Sequence, residues 1–339
     1  TKSRSFIATE LNSIFRHLLE ERDDIVFLGE DIRDPYGGAF KVTKGLSTLF
    51  PGRVISTPVS EQLLAGIANG LSLMKKVAVV EIMFGDFVTL IVDQIINHSV
   101  KFKDMYNLKI SAPIVFRTPM GGYRGYGPTH SQCLEKIFFG VPKLTVVACD
   151  LVHEQSQIWQ NMINESYPTL YIENKSLYGK SPMSTDQLVG SRWALTYGSG
   201  KYPATYFRLN GSREAVDLVI FCYGGLVELA LRVCETLFVQ EEIVATVAVL
   251  SKICPLEPSD ILRPLEAVNS FVTLEESSVI GGWGSEVIAQ LEAKKLGSVR
   301  FCRVGAKATL IPSSKAWEEY TLPTEDDLYQ ACMETVTFE

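Results

Sequence analysis

The chain has 339 residues, 46% of them hydrophobic and 21% charged, and a formal net charge of −7. That length suits about two domains of 100–200 residues with sizeable cores. The acidic balance, without a run of like charges, argues against a nucleic-acid surface, and no stretch of about 18 apolar residues is present to span a bilayer. Seven cysteines (133, 149, 222, 234, 254, 302 and 332) are scattered through apolar runs with no C-x-x-C pair. An odd, dispersed set of this kind reads as reduced thiols in a reducing compartment. Thr1 begins no secretory signal. The expected location is cytoplasmic, or the mitochondrial matrix or a plastid if a transit peptide has been removed.

In chain order, Phe6, Ile7, Leu11, Ile14, Phe15 and Leu18 recur at helical spacing, which predicts an amphipathic helix over 5–20. Ile25–Leu28 reads as a short buried strand ending at Gly29-Glu30-Asp31, followed by a loop around Tyr36-Gly37-Gly38. Thr57-Pro58-Val59-Ser60-Glu61-Gln62 opens a helix with Leu64, Ile67, Ala68 and Leu71 on one face, Ser60 or Thr57 serving as cap. Val77–Glu81 is a second strand, 86–104 one long helix, and Pro113–Arg117 a third strand that leads into the glycine-rich Gly121–Pro128. Leu144–Ala148 and Thr169–Ile172 add two strands around a helix at 153–164.

Residues 176–213 break this rhythm with Gly, Ser and Pro, and a domain boundary is placed there, giving domains 1–188 and 189–339. A second series follows: strands at 216–221, 244–249, 271–275 and 299–302, and helices at 225–240, 258–267, 284–294 and 325–336. Apolar strands alternating with helices predict an α/β protein with two open, mostly parallel sheets in tandem. In such sheets ligands sit beyond the carboxyl ends of the strands. Glu30, the 82–87 segment and the 118–130 loop all fall at such ends, with Glu61 close by.

Two residues there could carry proton chemistry. A carboxylate in a first helical turn, as Glu61 is, ordinarily only complements the helix dipole. His130 closes the glycine-rich loop and could exchange protons near neutral pH, or serve as a structural histidine. No G-x-S-x-G, H-E-x-x-H or Walker sequence occurs, and no G-x-G-x-x-G follows the first strand.

The stretches Leu28-Gly29-Glu30-Asp31, Gly38–Leu46, Thr57-Pro58-Val59-Ser60-Glu61, Asp93-Gln94-Ile95-Ile96-Asn97 and His130-Ser131-Gln132-Cys133 stand in one order and spacing. Together with Leu170–Asn174, Leu177-Tyr178-Gly179, Pro255-Leu256-Glu257 and Glu275-Glu276, they resemble the beta subunits of thiamine-diphosphate-dependent 2-oxoacid dehydrogenases, of the pyruvate, branched-chain and acetoin types. The resemblance covers nearly the whole chain. It implies a transketolase-like pyrimidine-binding domain followed by a transketolase C-terminal-like domain.

The resemblance also implies a chemistry. Glu61 would hydrogen-bond N1′ of the cofactor's aminopyrimidine, Phe87 would stack on that ring, and Met83 and Glu30 would line or support the pocket. His130 would serve proton transfer as the acyl group passes to a lipoyl carrier. The family's diphosphate and Mg²⁺ are held by an alpha subunit through Gly-Asp-Gly…Asn, and this chain has no Gly-Asp-Gly. An alpha partner in an α2β2 heterotetramer, a 2-oxoacid substrate and a lipoyl acyltransferase core are therefore implied. A potassium ion on the backbone around Met162, Glu165 and Tyr167 is implied by some relatives. Tyr123–Gly127 departs from the family loop and Gly127-Pro128-Thr129-His130 is transketolase-like. A split ketol- or acyl-transferring enzyme without a lipoyl partner, or an inert assembly subunit, are the alternatives.

Overall fold

Thirteen described strands build two sheets: β1 (Ile25–Gly29), β2 (Val54–Ser56), β3 (Val77–Glu81), β4 (Ile114–Met120), β5 (Thr145–Ala148), β6 (Thr169–Asn174), β7 (Trp193–Tyr197), β8 (Thr205–Leu209), β9 (Leu218–Cys222), β10 (Ala245–Val249), β11 (Lys252–Cys254), β12 (Ser270–Ser278) and β13 (Arg300–Ala306). The computed structural model describes residues 5–108, 113–183, 192–262, 268–294 and 299–337. The first sheet runs β11-β5-β6-β4-β3-β1-β2 and is parallel except at β11. The second runs β13-β12-β9-β10-β8-β7, parallel through β10 and antiparallel at β8 and β7.

β1, β3, β4, β6 and β9 are buried along their whole length, as expected for strands covered on both faces. Their side chains alternate between two cores. Val26 and Leu28 pack with Leu64, Ala65 and Ala68 of the helix Glu61–Leu73. Ile25 and Phe27 pack with Leu11, Phe15 and Leu18 of the helix Ile7–Glu21 and with Trp159 of the helix Gln155–Ile163. The Phe15 and Trp159 rings meet edge to face at 4.6 Å.

Three differences from the sequence expectation have physical causes. The single helix expected over 86–104 is a 3-10 helix at Gly85–Ile91, a π-helical turn at Gln94–Ser99 and a short helix at Phe102–Met105. Val92, Ile95 and Ile96 are poor helix formers, and the Ser99 hydroxyl bonds both the Gln94 carbonyl at 3.0 Å and Asn69 at 2.7 Å. Such π turns gather near functional sites. Within 176–213, for which no strand is expected, the chain pairs β7 with β8 as a hairpin. The boundary at 188/189 lies outside the described residues, as does 263–267 of the helix expected over 258–267. β11 comes from the second half of the chain yet closes the edge of the first sheet. All seven cysteines are free, and Cys149, Cys222, Cys234 and Cys332 are buried.

The two sheets meet across buried carboxylates. Glu135 is 1% exposed, and its Oε1 accepts the Tyr223 hydroxyl at 2.6 Å, while its Oε2 has no partner among the described residues. Burial pushes its carboxyl up to about 7, with the charges of Glu275 and Glu276 adding. The folded chain therefore binds a proton that the unfolded chain releases near the ordinary value of 4.5. The sign follows: this group costs nothing below that value and progressively destabilises as pH rises towards 7. Glu135→Gln keeps an acceptor for Tyr223 and is expected to remove this slope. Denaturation of both proteins across pH 5–8 should show the variant gaining up to about 3 kcal/mol over wild type at the alkaline end. Parallel pH profiles would show the assignment to be wrong.

Candidate active site

The ends of β1 and β2 bring the first pair of carboxylates together. Gly29 and Ser56 are register partners, and the Thr57 amide reaches the Gly29 carbonyl at 3.1 Å. This places Glu30 against the start of the next helix, where its Oε1 accepts the Ser60 amide at 2.7 Å. Ser60 caps that helix through its hydroxyl, which accepts the Leu63 amide. Glu61 thus sits in the first turn with only 8% of its surface exposed. A dipole-complementing surface charge would be solvated; this one is buried. Among the described residues no group hydrogen-bonds the Glu61 carboxylate. Burial raises the neighbouring Glu30 carboxyl above its usual range, the charges of Glu61 and Asp31 add to that, and the Ser60 amide opposes it.

The end of β3 supplies the aromatic wall. Met83, Phe84 and Phe87 are half-buried, and the Phe84 and Phe87 rings lie 5.9 Å apart, edge to face. His130 inserts its ring against both, 4.6 Å from Phe84 and 5.3 Å from Phe87. Its Nδ1 lies 2.9 Å from the Thr129 hydroxyl. Phe87 and His130, far apart in sequence, are therefore neighbours, as the topology argument required. Cys133 is half-buried, and burial holds its thiol well above the usual range, with Glu276 adding.

The loop that carries His130 is pinned by the second sheet. Glu276 on β12 accepts the Gly122 amide at 2.5 Å and the Asn174 carboxamide at 2.6 Å. Glu318 accepts the Gly125 amide at 2.9 Å, and the Tyr123 hydroxyl donates to the Pro323 carbonyl at 2.8 Å. Gly121 takes φ +95°, and a Cβ there would lie 2.7 Å from the Asn174 amide nitrogen and 2.8 Å from Glu276 Oε1. Only glycine allows both that backbone and that approach. Arg124 is exposed and, among the described residues, donates to the Lys175 carbonyl at 3.4 Å.

Sequence reasoning missed Phe84, Asp86, Gln132 and Lys175. Gln132 donates to Asp86 Oδ1 at 2.8 Å, tying the histidine segment to the helix of Phe87. Phe84 was within reach of the sequence argument, since it stands in the strand-end segment 82–87. The residues proposed for potassium lie elsewhere. The Met162 carbonyl already accepts the Glu165 amide at 3.1 Å, and Lys103 and Lys143 each place an ammonium 4.9 Å from the Tyr167 ring centre. A cavity of about 560 Å³ lined by Phe139, Leu144, Ile253 and Trp283 also lies apart from Glu61, Phe87 and His130.

Comparison with known proteins bears on the family and the fold. Residues 7–180 match the family "Transketolase, pyrimidine binding domain" and residues 208–328 match "Transketolase, C-terminal domain". The chain is 31% identical over 324 residues to "Pyruvate dehydrogenase E1 component subunit beta-2, mitochondrial" of Oryza sativa subsp. japonica, covering 95% of this chain and 83% of that one. It is 28% identical to "Acetoin:2,6-dichlorophenolindophenol oxidoreductase subunit beta" of Cupriavidus necator, with 97% of each chain covered. Among solved structures, a "Split gene transketolase, inactive beta4 tetramer" shares the fold at TM-score 0.70 and 22% identity, with 97% of both chains covered. The domain matches and the relatives together show that the chain belongs to the transketolase-like family of 2-oxoacid dehydrogenase E1 beta subunits.

Proposed function

We propose that this chain supplies the pyrimidine-binding half of a thiamine diphosphate site, and that a partner alpha subunit supplies the half that holds the diphosphate and Mg²⁺. The observation that carries the reading is Glu61, a carboxylate buried at a strand-end helix start with no partner among the described residues. A ring nitrogen that shares its proton with this carboxylate would give it a partner. Phe87, half-buried and packed edge to face with Phe84 and His130, presents an apolar face of the kind a pyrimidine ring needs. Together with the absent Gly-Asp-Gly, these residues fit one half of the group and not the other.

When bound, thiamine diphosphate supplies the carbon nucleophile that allows a 2-oxoacid to lose CO₂. In this proposal Glu61 holds and returns the proton at the pyrimidine N1′. Glu30 keeps Glu61 in register through the Ser60 amide, and Met83 and Phe87 exclude water from the ring. His130, wedged between Phe84 and Phe87, moves a proton as the acyl group leaves for a lipoyl carrier. An α2β2 assembly, a lipoyl acyltransferase core and the division into domains 1–188 and 189–339 belong to the same proposal. Potassium on the Met162–Tyr167 backbone enters no step of it. Among the described residues no helix is long and apolar enough to cross a membrane. The free thiols suit the cytoplasm or the interior of an organelle.

Calorimetric titration of thiamine diphosphate with Mg²⁺ tests the split site. This chain alone is expected to show no saturable binding. The chain mixed with its alpha subunit should bind and release CO₂ from a 2-oxoacid, with pyruvate and branched-chain 2-oxoacids compared. Tight, metal-dependent binding by this chain alone would overturn the proposal.

A further inference from the structure

We propose that Lys175 is a positioning residue that fixes the His130 segment for proton transfer, an inference that rests on the role given to His130 above. Lys175 begins the 3-10 turn Lys175–Leu177 directly after β6, and its side chain is 0% exposed. Its ammonium donates to the backbone carbonyl of His130 and lies 5.5 Å from the centres of both the Phe84 and Tyr126 rings. Phe84 is the same ring that packs on the imidazole at 4.6 Å. One cation therefore touches the backbone of His130 and the side chain against which His130 rests.

The energetics make a passive filler a poor explanation. A fully buried ammonium loses several kcal/mol of hydration unless it is paired, and no carboxylate forms an ion pair with Lys175 among the described residues. The charged and titratable groups that face it are Cys133, Glu276, Asp86 and Glu318. Burial drives its ammonium below the usual range, and those groups only oppose the shift. A methionine would fill the same volume without that cost. What methionine cannot do is donate to the His130 carbonyl.

The other tethers of the segment come from different directions. Thr129 contacts the imidazole Nδ1 from within the loop, and Gln132 reaches Asp86 in the helix of Phe87. The flanking turn is closed by the His130 amide donating to the Gly127 carbonyl at 3.3 Å. Lys175 is anchored at the carboxyl end of β6, an interior strand of the first sheet held by β4 and β5. Without it the carbonyl is released, and the imidazole shifts relative to the reacting atoms. Misplacement by about 1 Å costs on the order of 10²-fold in rate.

The test uses the complex reconstituted with the alpha subunit, and compares Lys175→Met, His130→Ala and the double variant with lipoamide as acceptor. Lys175→Met is expected to lower kcat by about 10- to 100-fold, with KM for the 2-oxoacid and affinity for thiamine diphosphate almost unchanged. Lys175→Arg should recover part of the loss. The double variant should be no slower than His130→Ala alone, because a positioning residue has nothing left to position. Multiplicative losses, an unchanged kcat, or an equal loss of cofactor affinity would overturn the role of Lys175 while leaving that of His130 standing. An unaffected His130→Ala would instead remove the reading of His130 and this inference with it. If Lys175→Met does not fold, Lys175→Arg and Lys175→Gln carry the same cycle. Failure of all three to fold makes Lys175 a folding residue and rejects the proposal.

Discussion

Glu61→Gln is expected to lower kcat for 2-oxoacid decarboxylation in the reconstituted complex by about 10²–10⁴-fold, the range of a lost proton-transfer group. Glutamine has nearly the shape of glutamate, so the first turn and its Ser60 cap should survive, and the unfolding midpoint should move by only a few degrees. Cofactor affinity should change far less than kcat, because an amide can still hydrogen-bond a ring nitrogen. It cannot share a proton with it. Glu30→Gln should give a milder loss, since Glu30 acts through the Ser60 amide it holds at 2.7 Å. Stopped-flow measurement of decarboxylation, with cofactor saturation checked in each variant, separates these outcomes. Full activity in Glu61→Gln would end the catalytic assignment. A loss of cofactor binding equal to the loss of rate would make Glu61 a binding residue only.

That experiment concerns a residue the periodic pattern alone assigned to the helix dipole. A capped first turn is visible in Ser60-Glu61-Gln62, but whether its carboxylate is wet or buried depends on how β1 and β2 end beside it. Strand-end convergence can be read from the order of apolar runs, and it places Glu30, the 82–87 segment and the 118–130 loop towards one edge of the first sheet. The resemblance then supplied a chemistry that spacing could not. Lys175 was not legible at all. Asn174-Lys175-Ser176 reads as a polar turn, and only the fold drops its side chain beneath the His130 carbonyl. β11 escaped for a related reason: three residues pairing with β5 across the chain leave no local periodicity. The helix expected over 86–104 failed because its β-branched run yields to side-chain bonds from Asn69 and Ser99.

Arg117→Met should be the most destabilising single change in the first domain, by about 3–5 kcal/mol. Arg117 on β4 is 1% exposed and clamps Glu173 of β6 with two bonds of 2.6 Å, while its remaining nitrogen bonds Glu81 at the end of β3. Tyr178 adds a hydroxyl bond to Glu173 at 2.7 Å. Methionine fills much of the volume but abandons two carboxylates in a site closed to water. Burial already raises the Glu81 carboxyl, Arg117 pulls it down, and Glu173 pushes it up. Without the guanidinium, burial would force Glu81 to take a proton. The folded variant then binds more protons than its unfolded chain, so its deficit should widen as pH rises from 5 to 8 and narrow towards acid. Adding Glu81→Gln and Glu173→Gln to Arg117→Met should recover most of the loss, since neutral amides remain where charges stood. Urea denaturation at pH 5 and pH 8 checks both statements. A deficit independent of pH would mean that packing, not charge, holds these strands in register. The consequence for the site is direct, because β3 leads into Met83, Phe84 and Phe87. A cluster that locks β3 to β4 and β6 fixes the wall against which His130 rests, so Arg117→Met should lose activity at temperatures below its own unfolding.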